Sequence, residues 1–333
     1  MWCAHRGSRR TAARCAQPWP RYHTLVVSTW MLLQAANALA DGLDRNGRLE
    51  LFGEDETGLK PLHADDRGAV LAWHPGRGWE RRLLLEDPRA ELLELYLPIC
   101  SATAAHPIAI GHLGQSLDGF IATPSGDSQT VTGEDNIIHL HRLRALCDAV
   151  VVGAGTVAAD DPQLTTRHVP GPSPLRVVFD PQRRLTPTFR LFTDRSAPTL
   201  YICARSRVAP GETHMGCAPI AAIEGGDRSE EAAQVLTLLR ARGCVRVFIE
   251  GGGVTVSRFL EANLLDRLQI AIAPVLIGEG RPAVRLAPRV RLRDCRRPAC
   301  RVFRMGADVL FDCDLTRDAG PSDSLAGTVN RII

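Results

Sequence analysis

The segment that most restricts the fold is "VVGAGTVAADDPQLTTRHVPGPSP", residues 151 to 174. Gly153, Gly155 and Ala158 stand at the spacing of a dinucleotide-binding turn. The apolar run Ala149-Val150-Val151-Val152 leads into it as a buried strand, and Asp180 follows where a ribose-binding acid belongs. A Rossmann turn must open into a helix that faces the pyrophosphate and crosses back to the next parallel strand. Pro162, Pro170, Pro172 and Pro174 each remove a backbone donor and disfavour helix in the residue before them. No crossover helix is therefore expected before a strand at Leu175 to Phe179, and the Rossmann reading is set aside.

The chain has 333 residues, enough for two domains or for one with a large appendage. A net charge of +3, with arginines scattered rather than striped, gives no reason to expect nucleic acid as a partner. Ten cysteines occur at irregular intervals without a Cys-x-x-Cys pair, which reads as reduced core thiols and predicts no metal site. The first forty residues carry Arg6, Arg9, Arg10, Arg14 and Arg21, and no acid before Asp41, a pattern that with the apolar run after it resembles a signal or transit peptide. The apolar run "LVVSTWMLLQAANALA" is interrupted by Ser28, Thr29, Gln34 and Asn37 and is too short to span a bilayer. Gln34, Asn37 and Asp41 fall on one face of a helix, as in an amphipathic soluble helix. The expected organisation is a disordered basic leader over 1–22, a small α+β module over 23–105, a larger α/β domain over 106–316 and a tail over 317–333.

Within the module, "AVLAWHPGRGWERRLLL" reads as a hairpin about Pro75-Gly76, and "PRAELLELYLP" as a short helix, followed by the small-residue linker "CSATAAHP". From Pro107 short strands alternate with helices. Thr132 is expected to cap a helix through "EDNIIHLHRLRALC" with Asp135 at its third position, and Gly243 to stop a helix through "EEAAQVLTLLRARG". Strands are expected at "DAVVVG", "LRVVFD", "TLYICA", "VRVFIE" and "RLQIAIAP", with a final antiparallel pair at "RVFRMG" and "DVLFDCD".

The strongest chemical signal is "FIEGGGVTVSRF". A buried strand that ends in three glycines and opens into a helix at Thr255 and Ser257 gathers backbone N–H groups and a positive helix end around a phosphate-sized hollow. Glu250 ends the strand, so its carboxylate is expected to face whatever the loop binds.

Four blocks in order, "GQSLDGFIATPSGDSQTVTG", "HRLRALCDAVVVGAGTVAADDPQLTTR", "PLRVVFDP" and "FIEGGG" followed by "APVLIGEGRP", resemble the C-terminal reductase domain of the riboflavin biosynthesis deaminase-reductase family. The resemblance covers residues 107 to about 314 and implies a dihydrofolate-reductase-like mixed sheet flanked by helices. It implies that NADPH delivers hydride to the opened ribose of a ribosylaminopyrimidine 5′-phosphate, giving the ribityl product. Cofactor contacts are implied at Gly114, Thr130, Gly153, Thr156, Asp160, Gly252, Gly253, Val254, Thr255 and Ser257, within a loop reaching Arg258. Substrate contacts are implied at Ser128, Arg144, Leu164, Arg167 and Glu250, with two arginines suited to a phosphate monoester. No residue is assigned a catalytic role. A cytoplasmic homodimer with no membrane partner completes the expectation. The family often has lysine where this chain has His112 and tryptophan where it has Thr130. Its deaminase signatures, His-x-Glu and Pro-Cys-x-x-Cys, are absent from residues 1 to 106, so no deaminase activity is expected. The same scaffold leaves room for a pterin- or deazaflavin-type reduction, or for a nucleotide-binding protein without turnover.

Overall fold

The computed structural model describes residues 19–55, 58–63, 68–128 and 131–318. Most of the expected leader and tail, and Thr130, lie outside these residues. The last four leader positions belong to helix α1 (Trp19–Asn46), which therefore begins earlier than expected.

The N-terminal part is a four-stranded antiparallel sheet in the order β2-β1-β3-β4, formed by β1 (Glu50–Asp55), β2 (Gly58–Leu62), β3 (Leu71–His74) and β4 (Gly78–Arg81). Helix α2 (Ala90–Cys100) follows, with its buried side facing α1. The expected hairpin is β3–β4, in which Trp73 lies opposite Trp79 with their rings edge to face.

The remainder forms a mixed ten-stranded sheet flanked by helices, the fold class implied by the sequence. Its strands are β5 (Ile108–Ser116), β7 (Ala149–Gly153), β8 (Leu175–Phe179), β9 (Thr199–Ala204), β10 (His214–Met215), β11 (Ala218–Ile223), β12 (Arg246–Glu250), β13 (Arg267–Ala273), β15 (Pro298–Met305) and β16 (Asp308–Asp318). The order β10-β11-β9-β8-β7-β12-β5-β13-β16-β15 contains a parallel block from β11 to β13, and β10, β16 and β15 join antiparallel. A separate ribbon pairs β6 (Phe120–Ala122) with β14 (Arg281–Pro282). The central strands are apolar on both faces because helices cover both. Val150, Val152 and Phe248 pack toward the side of α1, α2 and α3 (Glu134–Leu146). Val151, Val177 and Ile249 pack toward α6 (Arg228–Arg240) and α7 (Gly253–Glu261), while the one-turn helix α5 (Arg190–Thr193) lies between β8 and β9 in sequence. The final strand pair and the strand at Leu175 to Phe179 stand where the sequence put them.

Two local expectations change, and the rejected Rossmann reading stays rejected. A short helix, α4 (Ala154–Asp160), does follow β7, since no proline interrupts before Pro162; it stops at Asp161, whose φ is 39°. The rest of the β7–β8 crossover is extended, so the proline argument holds only beyond residue 161. Thr132 does not cap α3: Gly133 occupies the cap position, and Thr132 Oγ1 accepts instead from Asn136 Nδ2 at 2.9 Å. Asp180 does not face the cleft. Its buried carboxylate accepts from Arg184 N, Leu185 N and Tyr201 Oη, closing the turn after β8.

The N-terminal part is seated by one buried guanidinium. Arg246, at the first position of β12, donates to Ile99 O at 3.2 Å, Ala102 O at 2.6 Å and Asn37 O at 3.1 Å. The segment after Cys100 is thus packed rather than free, and Ala102 and Thr103 are buried. Replacing Arg246 with Met leaves these carbonyls without a donor and is expected to cost about 3 kcal/mol. A urea-unfolding midpoint checks it; a loss under about 0.5 kcal/mol, the level of an ordinary surface change, is the contrary result.

Candidate active site

From β7 the chain passes through α4 to β8 on one side, and from β12 it passes through α7 to β13 on the other side of β5. The connections therefore diverge between the adjacent strands β7 and β12, where a crevice opens at the carboxyl ends of parallel strands. A cleft of roughly 350 Å³ lies there. Gly153, Gly155, Thr156 and Asp160 form one wall, Gly252, Gly253, Val254 and Thr255 another, and Ala122, Arg281 and Pro282 of the ribbon a third.

Two glycines make this geometry possible. A side-chain carbon at Gly153 would sit 2.2 Å from Thr255 Oγ1, so only glycine lets the start of α7 close on the end of β7. Gly252 has φ 64°, and a Cβ there would meet Thr156 Oγ1 at 2.8 Å. Gly252 is also the N-cap of α7, so the helix's positive end faces the hollow. Burial raises the Asp160 carboxyl above its usual range, against Arg281 and a hydrogen bond from Ser128. Arg258 stacks over the Phe179 ring at 4.9 Å and pairs with Glu231 Oε2 at 3.2 Å.

A second cluster adjoins the end of β12. Arg144, in the last turn of α3, donates through Nε to Glu250 Oε2 at 2.8 Å, makes a further bond to Glu250 Oε1, and donates to Thr165 O at 3.2 Å. Burial opposes the charge on Arg144, but Glu250 outweighs it and its pKa stands above the ordinary value. Arg167 donates to Thr165 Oγ1 at 2.8 Å and Gln163 Oε1 at 3.1 Å, while its backbone N–H donates to His141 Nδ1 at 3.0 Å. Burial, with Arg144 nearby, lowers its pKa. Leu164 is buried with φ 55°, a costly conformation for a leucine.

The expected cofactor residues Gly153, Thr156, Asp160, Gly252, Gly253, Val254 and Thr255 thus share one cleft. Ser257 is not among its lining residues: its buried hydroxyl accepts from Arg285 N at 2.7 Å. Gly114 is closed over by Thr132 Cγ2, which a Cβ would meet at 2.7 Å. Ser128, expected with the substrate set, lines the cleft beside Asp160. Arg144, Leu164, Arg167 and Glu250 cluster as expected, but Arg144 and Glu250 are committed to each other because a buried charge needs a counter-charge. Glu250 therefore does not face the loop as a free carboxylate, and Arg167 holds the one guanidinium of this cluster bound only to neutral oxygens. Arg184, Arg281 and Arg285 in the cleft were not singled out in the sequence. Arg184 comes from the turn after β8, Arg281 from β14 and Arg285 from the segment just after it, and isolated arginines carry no spacing signal.

A model of the RibD C-terminal domain matches residues 107–303. The chain belongs to the RibD C-terminal domain family. It is 38% identical over 181 residues to the 2,5-diamino-6-ribosylamino-4(3H)-pyrimidinone 5′-phosphate reductase of Methanothermobacter thermautotrophicus, covering 53% of this chain and 82% of that one. The protein of the same description from Archaeoglobus fulgidus is 35% identical over 184 residues, covering 52% and 82%. Among solved structures, Acinetobacter baumannii RibD superposes with a TM-score of 0.54 at 26% identity, over 70% of this chain and 64% of that chain. Every site residue named above falls inside the RibD C-terminal domain match, whereas α1 to α2 precede it. Among the described residues, no helix is long and apolar enough to cross a membrane.

His112, where family members often have lysine, is buried beside the Arg144–Glu250 pair. Its Nε2 meets Asn136 Oδ1 at 3.0 Å, and burial lowers its pKa to about 4. The unfolded chain takes up a proton near pH 6.5 that the folded chain refuses until about pH 4, so stability falls as pH drops through that window. His112→Gln is expected to lose less stability than the parent between pH 7.5 and 4.5, by about 2 kcal/mol. Urea midpoints at the two pH values measure it; equal losses contradict the assignment.

Proposed function

We propose that this chain is an NADPH-dependent reductase that converts the ribosyl group of a ribosylaminopyrimidine 5′-phosphate to ribityl, as in riboflavin biosynthesis. The observation that carries this reading is the end of β12, where the glycine loop of the cleft and the Glu250–Arg144–Arg167 cluster meet within three residues. Nucleotide and phosphorylated substrate are thereby brought to one point, in a member of a family whose archaeal relatives are named for such a reductase. Those names favour the 2,5-diamino form of the pyrimidine as substrate.

In this reading residues 106–316 are the reductase unit and residues 23–105 an accessory module. The cofactor supplies hydride. The protein supplies alignment: Gly252 to Thr255 take the diphosphate at the helix start, Thr156 and Asp160 border it, and Arg167 grips the substrate phosphate. Leu164 shapes the substrate side, and Glu250 fixes Arg144 beside Arg167. Arg184, Arg281 and Arg285 give the cleft a cationic rim suited to a further phosphate monoester, which favours NADPH over NADH. A cytoplasmic homodimer is the proposed assembly, with strand β15 at the sheet edge as its open backbone.

The test is to incubate the protein and NADPH separately with the diamino and the deaminated phosphorylated pyrimidines, following cofactor oxidation and product mass. Oxidation with a product heavier by two hydrogens is expected; turnover only of an unphosphorylated pterin overturns the substrate. Arg167→Ala is expected to lower kcat/KM on the phosphorylated substrate by about tenfold or more, with NADPH affinity unchanged. An equal loss on a dephosphorylated substrate would make Arg167 a scaffold residue. Gly252→Val is expected to weaken NADPH binding by at least about tenfold, read by fluorescence titration, because a β-branched side chain fits neither φ 64° nor the space beside Thr156. Wild-type affinity in that variant removes the loop from the cofactor site.

A further inference from the structure

The module formed by α1, the four-stranded sheet and α2 lies before the family match and lines no part of the nucleotide cleft. It touches the other half of the site. We infer that the module is a built-in clamp on the substrate loop, with Trp30 and Gln34 as positioning residues for Arg167. The identity of the ligand at Arg167 rests on the function proposed above.

Residues 162–174 have no helix or strand of their own, so no backbone ladder fixes them. Two side chains of α1 converge on one carbonyl of this segment: Trp30 Nε1 donates to Pro170 O at 2.9 Å and Gln34 Nε2 at 3.0 Å. Next to it, Gly171 has φ 142°, and a Cβ there would lie 2.8 Å from Ala145 Cβ and 2.9 Å from Gln34 Nε2. The loop is thus pressed between α1 and α3. It is also cross-braced, since Thr166 Oγ1 donates to Pro172 O at 2.8 Å and Thr166 N to Ser173 Oγ at 3.1 Å. Holding Pro170 therefore fixes Thr166 and its neighbour Arg167.

The module grips the second support of the site as well. Tyr96 Oη of α2 lies 2.6 Å from His139 Nδ1 on α3, and Arg142 of the same helix sits over the rings of Trp30 and Tyr96. Helix α3 carries Arg144, and its His141 accepts the Arg167 N–H. Module contacts thus reach both carriers of the substrate cluster, which predicts effects on substrate binding that spare the nucleotide.

The test compares the full chain with W30F/Q34M. Phe keeps a ring against Tyr96 and Met keeps the Gln34 stem, so the apolar packing survives while both donors to Pro170 are lost. The KM for the phosphorylated pyrimidine is expected to rise about five- to tenfold with kcat within about twofold. NADPH affinity stays at the wild-type value, and amide exchange speeds up in residues 163–174 but not in 251–257. The single variant W30F, which retains the Gln34 donor, is expected to fall between the two and serves if the double variant folds poorly. An unchanged KM, unchanged exchange in 163–174, or an equal loss of NADPH affinity overturns the clamp. If the wild type turns over no phosphorylated pyrimidine, the proposed function fails instead, and the exchange comparison decides the clamp by itself.

Discussion

Strand β12 is five residues long and is held by charge at both ends. Arg246 at its start is surrounded by carbonyls of α1, the last turn of α2 and the segment after it. Glu250 at its finish holds Arg144 of α3. Burying a guanidinium costs several kcal/mol unless oxygens replace its water, so each arginine obliges its partners to converge. One such convergence seats the N-terminal module on the sheet. The other fixes the loop that carries Arg167, because Arg144 also captures the Thr165 carbonyl.

The glycine-lined cleft is built on a different principle. It depends on missing side chains rather than on charges: Gly153 admits Thr255, and Gly252 turns the chain into α7 where L residues are strained. The two halves meet because Glu250 and Gly252 are almost adjacent in sequence. Only the cationic rim reaches in from elsewhere, through turns after β8 and around β14.

What was legible in the sequence was local. The parallel strands announced themselves as apolar runs, the β3–β4 hairpin by Pro75-Gly76, and the turn from β12 into α7 by three successive glycines. The helix α4 was missed because the prolines that forbid helix begin only at residue 162. The expected cap at Thr132 was missed because its hydroxyl found Asn136 instead. Long-range pairings had no signal at all. Gln34, Asn37 and Asp41 read as the wet face of a helix, yet they bond Pro170 O, Leu146 O and Ala104 N. A polar stripe that seeks water and one that seeks distant backbone groups look alike in one sequence. The commitment of Arg144 to Glu250, 106 positions away, was hidden for the same reason.

One apolar cluster runs without a break from Trp30, Leu33 and Phe52 through Tyr96 and Leu143 to Val150, Val178 and Leu164. The two sheets therefore share an interior, and the cleft of about 220 Å³ between Trp73, Ser101, Ile108 and Asp266 only borders it. A molecule of this kind melts as one cooperative unit and does not open by swinging the module aside. The ribbon of β6 and β14, which forms one wall of the cleft, lies outside that shared interior, although its Ala122 and the adjoining Ala283 are buried. Through Trp30 and Gln34 the module bears on a loop beside a cleft to which it contributes no lining residue.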